Sequence, residues 1–492
     1  MRIRNCILAL AAIIVAATIG ACGGSSSDNG GLTSPPPPPP PPTGGISRNG
    51  IAFGPISNFG SVVVNGVRYD TTGAIFTIDG AAGTEDQLDV GDVVTVIGEI
   101  DENTGAATAN EVLFDDAVTG PVDSVNVATS SLVVLGQTVF VTPDTSFDDS
   151  FAQPSLDGVT VGEIVEVTGQ IDANGDIVAT RLEPKPAGTQ FEVHGTVANL
   201  DSVAQTFLLS TLLVDYSGAT LDNFPSGMIA DGDFVEAKGT TTGASGELIA
   251  TRVELETGFP DVNADDFAEI EGFITRFVDA TDFDVTGFPV ITNAQTAFEG
   301  GVAADLGLNI KVEVEGTIDA NGALVATKVD IRPSKAIRSS ALVDSVNAAA
   351  GSIVTLGITI TTDALTRFED KSAADIDPLT ISDINAGDFV EIRGDEFPAS
   401  SGQIRATIFE REDPDDTELQ GFVESISDPS FSILGVTIET GATTIFRDEN
   451  DVILSSTDFF ARLTQNDLVK ATGTESSDTT ISATEVEFEL EF

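Results

Sequence analysis

From Gly54 to its end the chain repeats itself six times, about every 73 residues. This constrains the fold more than any single motif, because every copy must build the same unit. Each copy opens with Gly and places apolar residues two and five positions later. The copies read Gly54-Ile56-Phe59, Gly120-Val122-Val125, Gly195-Val197-Leu200, Gly272-Ile274-Phe277 and Gly421-Val423-Ile426, with Ala341-Val343-Val346 as the fifth. A spacing of three breaks strict strand alternation, which predicts a bulge or bend.

Three further marks recur in order. A Gly, an apolar residue three later and a Thr-x-Phe appear as Gly136, Val139, Thr145 and Phe147, and again at Gly287, Gly357 and Gly435. This reads as two strands joined by a tight turn. Gly-Asp-x-Val-x-Val-x-Gly follows, as in Gly91-Asp92 to Gly98 and Gly387-Asp388 to Gly394, with Glu163 for Asp in the second copy; the fourth and sixth copies keep the alternation but lose the opening Gly. Alternating residues such as Val390 and Ile392 face one core. The acid in this mark reads as turn chemistry opening a strand. The last mark is Ala-Thr, at Ala179, Ala250, Ala326, Ala406 and Ala483, with Ala109-Asn110 in the first copy. Asp-x-Asn-Gly turns precede it at Asp172 and Asp319.

Each unit therefore reads as three strands, a short piece able to hold one helical turn (Ile381 to Ala386 in the fifth copy), and two strands. That order predicts an all-β chain of six tandem small OB-like β-barrel repeats of about 70–80 residues. The expected bounds are 46–116, 117–186, 187–260, 261–333, 334–414 and 415–492. The period exceeds that of solenoids, so each unit is expected to close its own core, although units this small lean on neighbours. Short junctions punctuated by Pro184, Pro186, Pro260, Pro333 and Pro414 predict beads on a string, a semi-rigid rod of roughly 150–180 Å.

The N-terminus is an address. Arg2 and Arg4, an apolar run from Ile7 to Ile19, and Gly20-Ala21-Cys22 form a secretory signal over 1–21, too short to span a bilayer. Ile19-Gly20-Ala21-Cys22 resembles the bacterial lipobox, which implies cleavage before Cys22 and a lipid on it. Gly23, where inner-membrane retention would place Asp, directs the expectation to the outer membrane. Residues 22–45, with Pro35 to Pro42, form a disordered tether whose polyproline stretch spans about 25 Å.

The charge excludes one class of partner. The chain has 78 acids against 22 Lys and Arg, net −56; losing Arg2 and Arg4 leaves 78 against 20, net −58. Nucleic acid needs a basic surface, so it is excluded. With 41% apolar residues the chain still has the material for cores. One His and two Cys, of which cleavage removes Cys6, argue against His- or Cys-based catalysis and against a disulfide. His194, in a strand, reads as a surface or edge-strand residue. No nucleophile elbow, phosphate loop or nucleotide fingerprint occurs. Asp261-x-Asn263-x-Asp265-Asp266 has the oxygen spacing of a calcium loop, but Gly272 stands where the final Glu belongs; Ca2+ there is set against a solvated linker.

With these marks in view, the body resembles tandem bacterial repeats called domain of unknown function 5666, whose usual first copy Phe59-Gly60-Ser61-Val62-Val63-Val64-Asn65-Gly66-Val67-Arg68-Tyr69 looks like. The resemblance implies no activity and no site residues. The expectation is a non-enzymatic, lipid-anchored envelope protein serving as spacer, scaffold or adhesive rod. The alternative is a glycan- or cation-binding envelope protein using repeat faces or inter-repeat clefts, with a glycan or envelope protein as partner.

Overall fold

The computed structural model describes residues 47–59, 61–101, 106–142, 144–225, 227–256, 262–332, 337–398, 401–449 and 452–489. The signal segment, Cys22 and the proline tether lie outside the described residues. Repeat 5 shows the unit. An opening strand (Ile337–Asn347) is followed by a second (Ser352–Thr355) and third strand (Ile358–Thr361), a single 3-10 turn (Ile381–Asp383), a fourth strand (Phe389–Glu396) and a closing strand (Gln403–Glu412). The opening strand pairs antiparallel with the second and fourth strands, and the third runs parallel to the closing strand. The circuit is thus closed. The same pairings close repeats 1, 2, 3, 4 and 6. This is the five-strand OB-like barrel order.

The sequence marks meet at one place in each barrel. The last Gly of the fourth strand faces the Ala of the closing strand, as Gly98–Ala109, Gly169–Ala179, Gly239–Ala250, Gly316–Ala326, Gly394–Ala406 and Gly473–Ala483. A bulge lies at each pairing. A Cβ on any of these glycines would come within 2.6 Å of a closing-strand carbonyl oxygen, so only Gly allows the approach. The Thr after the Ala donates to the carbonyl just before the Gly in repeats 2 to 6, as Thr407 to Arg393 at 3.0 Å. The Thr of Thr-x-Phe donates to the Ala carbonyl, as Thr366 to Ala406 at 2.8 Å, and likewise in repeats 2, 4 and 6. Two hydroxyls thereby bond carbonyls on either side of the bulge.

The fourth strand begins in a left-handed turn. Gly91, Gly162, Gly232 and Gly387 take φ near +90°, and Asn309 and Asn466 (φ 64° and 72°) fill the place in repeats 4 and 6. Asn tolerates this region, which explains the lost glycines. The following acid accepts the backbone N–H three residues earlier, Asp388 from Asn385 and Glu163 from Thr160. The acid is turn chemistry, as expected. The bulge expected in the opening strand is also present, just after the buried apolar residue two past the Gly.

The string of beads is not what the sheets form. Three sheets each join two repeats through their opening strands, 1 with 4, 2 with 3, and 5 with 6. Pairs 2–3 and 5–6 share one antiparallel register: Val193 faces Val118 and Ser339 faces Leu419, each two residues before the Gly place. Residues 50–53 instead run parallel to 267–270. The cores of 2 and 3 merge, as do those of 5 and 6. Repeat 1 also reaches repeat 5, where the Asn58 amide donates to the Leu379 carbonyl at 3.0 Å. A free edge strand invites pairing, and these opening strands cover each other. Unit closure was written in glycines and threonines; the partner of each exposed edge was not.

Gly394→Ala should lower the unfolding free energy by about 1–3 kcal/mol through overpacking at the bulge. Gly441→Ala, in open space, should change it by less than about 0.5 kcal/mol. Denaturant midpoints of the two variants check this.

Candidate functional site

The outward side of a barrel strand is not solvent when another barrel covers it. In repeats 2 to 5 the fourth and closing strands place carboxylates opposite each other: Glu166–Glu183, Glu236–Glu254, Glu313–Asp330 and Glu391–Glu410. Glu236, Glu313, Glu391 and Glu410 are all buried. A cation joins each pair or one of its members. Lys185 Nζ lies 2.9 Å from both Glu166 and Glu183, Arg332 reaches Glu313 and Asp330 at 3.3 and 3.0 Å, and Arg393 reaches Glu391 and Glu410 at 2.6 and 3.1 Å. Burial alone would raise Glu391, but Arg393 and Arg338 outweigh it and hold the carboxyl at about 2. The acids occupy the outward strand positions that alternation predicts, but four repeats turn them into junctions. Their signal in the sequence is an acid between two apolar residues at the same place in four copies, with Lys238 or Arg393 two residues on.

Where repeats 1, 2, 4 and 5 meet, a cavity of about 30 Å³ is lined by Asn65, Asp144, Glu271, Lys311, Arg332 and Arg367 among others, room for about one water. Arg367 crosses from repeat 5 to the carbonyls of Asp144 and Thr180 in repeat 2, and Arg393 reaches the Thr145 carbonyl at 2.7 Å. Lys311 pairs with Glu271 at 2.7 Å. Arg367 and Arg393 thus lock repeat 5 to repeat 2, while the Lys311–Glu271 pair lies within repeat 4.

The junction of repeats 2 and 3 gathers several carboxylates around one lysine. Lys238 Nζ lies 2.6 Å from Glu192, 2.7 Å from Glu236 and 2.9 Å from the Asp79 carbonyl of repeat 1. His194, paired with Glu236 in the sheet, is only 10% exposed, its Nε2 3.6 Å from Glu236 and 3.9 Å from Glu192. The edge-strand reading of His194 is corrected here: strands flank it on both sides and burial lowers its pKa. Burial, with Glu236 and Asp116 beside it, pushes Glu192 up to about 11. Burial also raises Asp116, Asp115 (about 7) and Glu256 (about 7). Asp116 Oδ1 and His194 Nε2 are buried with no hydrogen-bond partner.

The calcium-type loop is only partly described, since Asp261 lies outside the described residues. Asn263 donates its backbone N–H (2.7 Å) and its side-chain amide (3.1 Å) to Asp266. Asp265 sits in the left-handed region at φ 73°. Asn263 and Asp266 line an open cleft of about 210 Å³ with Gly50, Ile97 and Asn110 of repeat 1.

The geometry defines a class, a tandem array of OB-like barrels joined edge to edge. The family described as Domain of unknown function (DUF5666) matches residues 119–183, 194–254, 271–330, 341–408 and 420–487, and the chain belongs to that family. Those segments are repeats 2 to 6; repeat 1 has the same strand order and the same Gly98–Ala109 bulge. Among solved structures, one titled "drosophila Unr CSD456" aligns at TM-score 0.12 and 16% identity, covering 44% of this chain and 97% of its own. No curated protein matches the chain.

The raised acids set a pH dependence. Asp92, Asp115, Glu256 and Glu412 have folded values of about 7, above their ordinary 3.8 or 4.5. Their contribution to stability is full below about 4 and lost as pH rises through 7. Glu391, held at about 2, contributes above its ordinary 4.5, and this is lost as pH falls toward 2. The melting midpoint should therefore be higher at pH 5 than at pH 8. Asp115→Asn with Glu256→Gln should shrink the difference. Equal midpoints at the two pH values would contradict the burial assigned to these acids.

Proposed function

We propose that the chain is a lipid-anchored envelope protein of structural and interaction type, held through Cys22 in the outer membrane and presenting its six barrels as a scaffold without catalytic activity. The observation that supports this reading is where the buried charge goes. Arg367, Arg393, Arg332 and Lys238 are buried, and each binds carboxylates or carbonyls at a barrel or barrel junction. The cavity where four repeats converge has room for about one water rather than a substrate. Charge used to fix barrels against one another makes a stiff body, as a scaffold requires. The distributed surface acids favour solubility and repel other acidic surfaces. The anchor rests on the sequence of the leader, and two or more acyl chains would hold it stably.

Metabolic labelling with palmitate, followed by fractionation, tests the reading. The wild-type chain should carry label and sediment with outer membranes, while Cys22→Ala should lose both label and sedimentation. An unlabelled, soluble wild-type protein would refute it. Antibody binding to intact cells then separates outward display, suited to adhesion, from an inward-facing scaffold.

A further inference from the structure

We propose that Asp116, Glu192 and His194 form a site for one divalent transition-metal cation at the junction of repeats 2 and 3. The strand pairing builds it. Glu192 and His194 are one residue apart in the opening strand of repeat 3, so they project to the same side. The antiparallel register sets Glu192 against Thr119, beside the strand that Asp116 leads into. One ligand atom from each of the three lies within 4.8 Å of the other two.

Two of the donors have nothing else to do. Asp116 is 3% exposed, and its Oδ1 has no hydrogen-bond partner; its other oxygen accepts from Thr119. His194 Nε2 is likewise buried and without a hydrogen-bond partner. Leaving such atoms dry is costly, and a cation would satisfy both. The charge agrees. Once a cation displaces the protons that burial holds on Asp116 and Glu192, those two and Glu236 set against Lys238 leave two negative charges, the charge of one divalent ion. An imidazole nitrogen with carboxylate oxygens suits Zn2+, Co2+ or Mn2+ better than Ca2+ or Mg2+, which prefer oxygen alone. Three protein donors leave room for water in the remaining positions.

The fold does not require these residues. Pair 5–6 has the same register and carries Ile337, Glu418 and Gln420 at the three equivalent places. The site therefore belongs to one junction, not to the repeat.

The chain has a single histidine, so its imidazole can be followed without mutation. Chelator-stripped mature chain is titrated with Zn2+ in millimolar Ca2+ and Mg2+, which occupy surface acids. The imidazole NMR signals should move and saturate at one equivalent, and Co2+ should give visible absorption bands at the same stoichiometry. His194→Gln and Asp116→Asn should each weaken Zn2+ binding at least about tenfold, while Asp265→Asn should leave it unchanged. The proposal is overturned if the imidazole signals do not move, if Ca2+ displaces the ion, or if folded His194→Gln binds Zn2+ as wild type does.

Discussion

In every barrel the last glycine of the fourth strand meets the alanine of the closing strand almost backbone to backbone. That contact fixes the rest. It forces a bulge, and the bulge turns two carbonyls toward the threonines that follow and face it, Thr407 and Thr366 in repeat 5. With register pinned there, alternation is set along both strands. Val390, Ile392 and Phe409 point into the barrel, and Glu391 and Glu410 point out of it together. The same lock that closes the core places two acids side by side on the outer wall.

Those acids then dictate the assembly. Facing carboxylates repel, and covering them with another barrel strengthens the repulsion unless a cation comes with the cover. Lys185, Lys238, Arg332 and Arg393 supply it from the same two strands or the segment just beyond them. Few cations serve many acids in this chain, and several sit where barrels meet. Shortage of positive charge is felt around Lys238, where burial and neighbouring acids push Glu192 up to about 11 and Asp115 to about 7 and raise Asp116 as well.

Much of this was legible in the sequence, for physical reasons. Gly394 recurs because no side chain fits there at the bulge, and Ala406 recurs opposite it, so period and spacing reveal the barrel. Gly387 and its substitutes Asn309 and Asn466 recur because the turn needs positive φ. The single turn at Ile381–Asp383 fell between the third and fourth strands as the spacing required. What was hidden is what depends on distant pairing. Nothing local in Ile51 or Phe53 says that 267–270 will lie beside them. An alternating pattern marks Glu313 as outward without saying whether water or another barrel lies there. His194 looked like a lone edge residue because its neighbours are distant in the chain, Asp116 in the link before the opening strand of repeat 2 and Glu236 in the fourth strand of repeat 3.

The central claim is that six barrels interlock through opening strands and junction charges instead of standing in file. Small-angle scattering of residues 47–492 tests it most directly. Interlocked barrels should give a radius of gyration below about 30 Å, approaching the roughly 22 Å of a globular body of that length. A value above about 40 Å, as a file of six barrels would give, would contradict it.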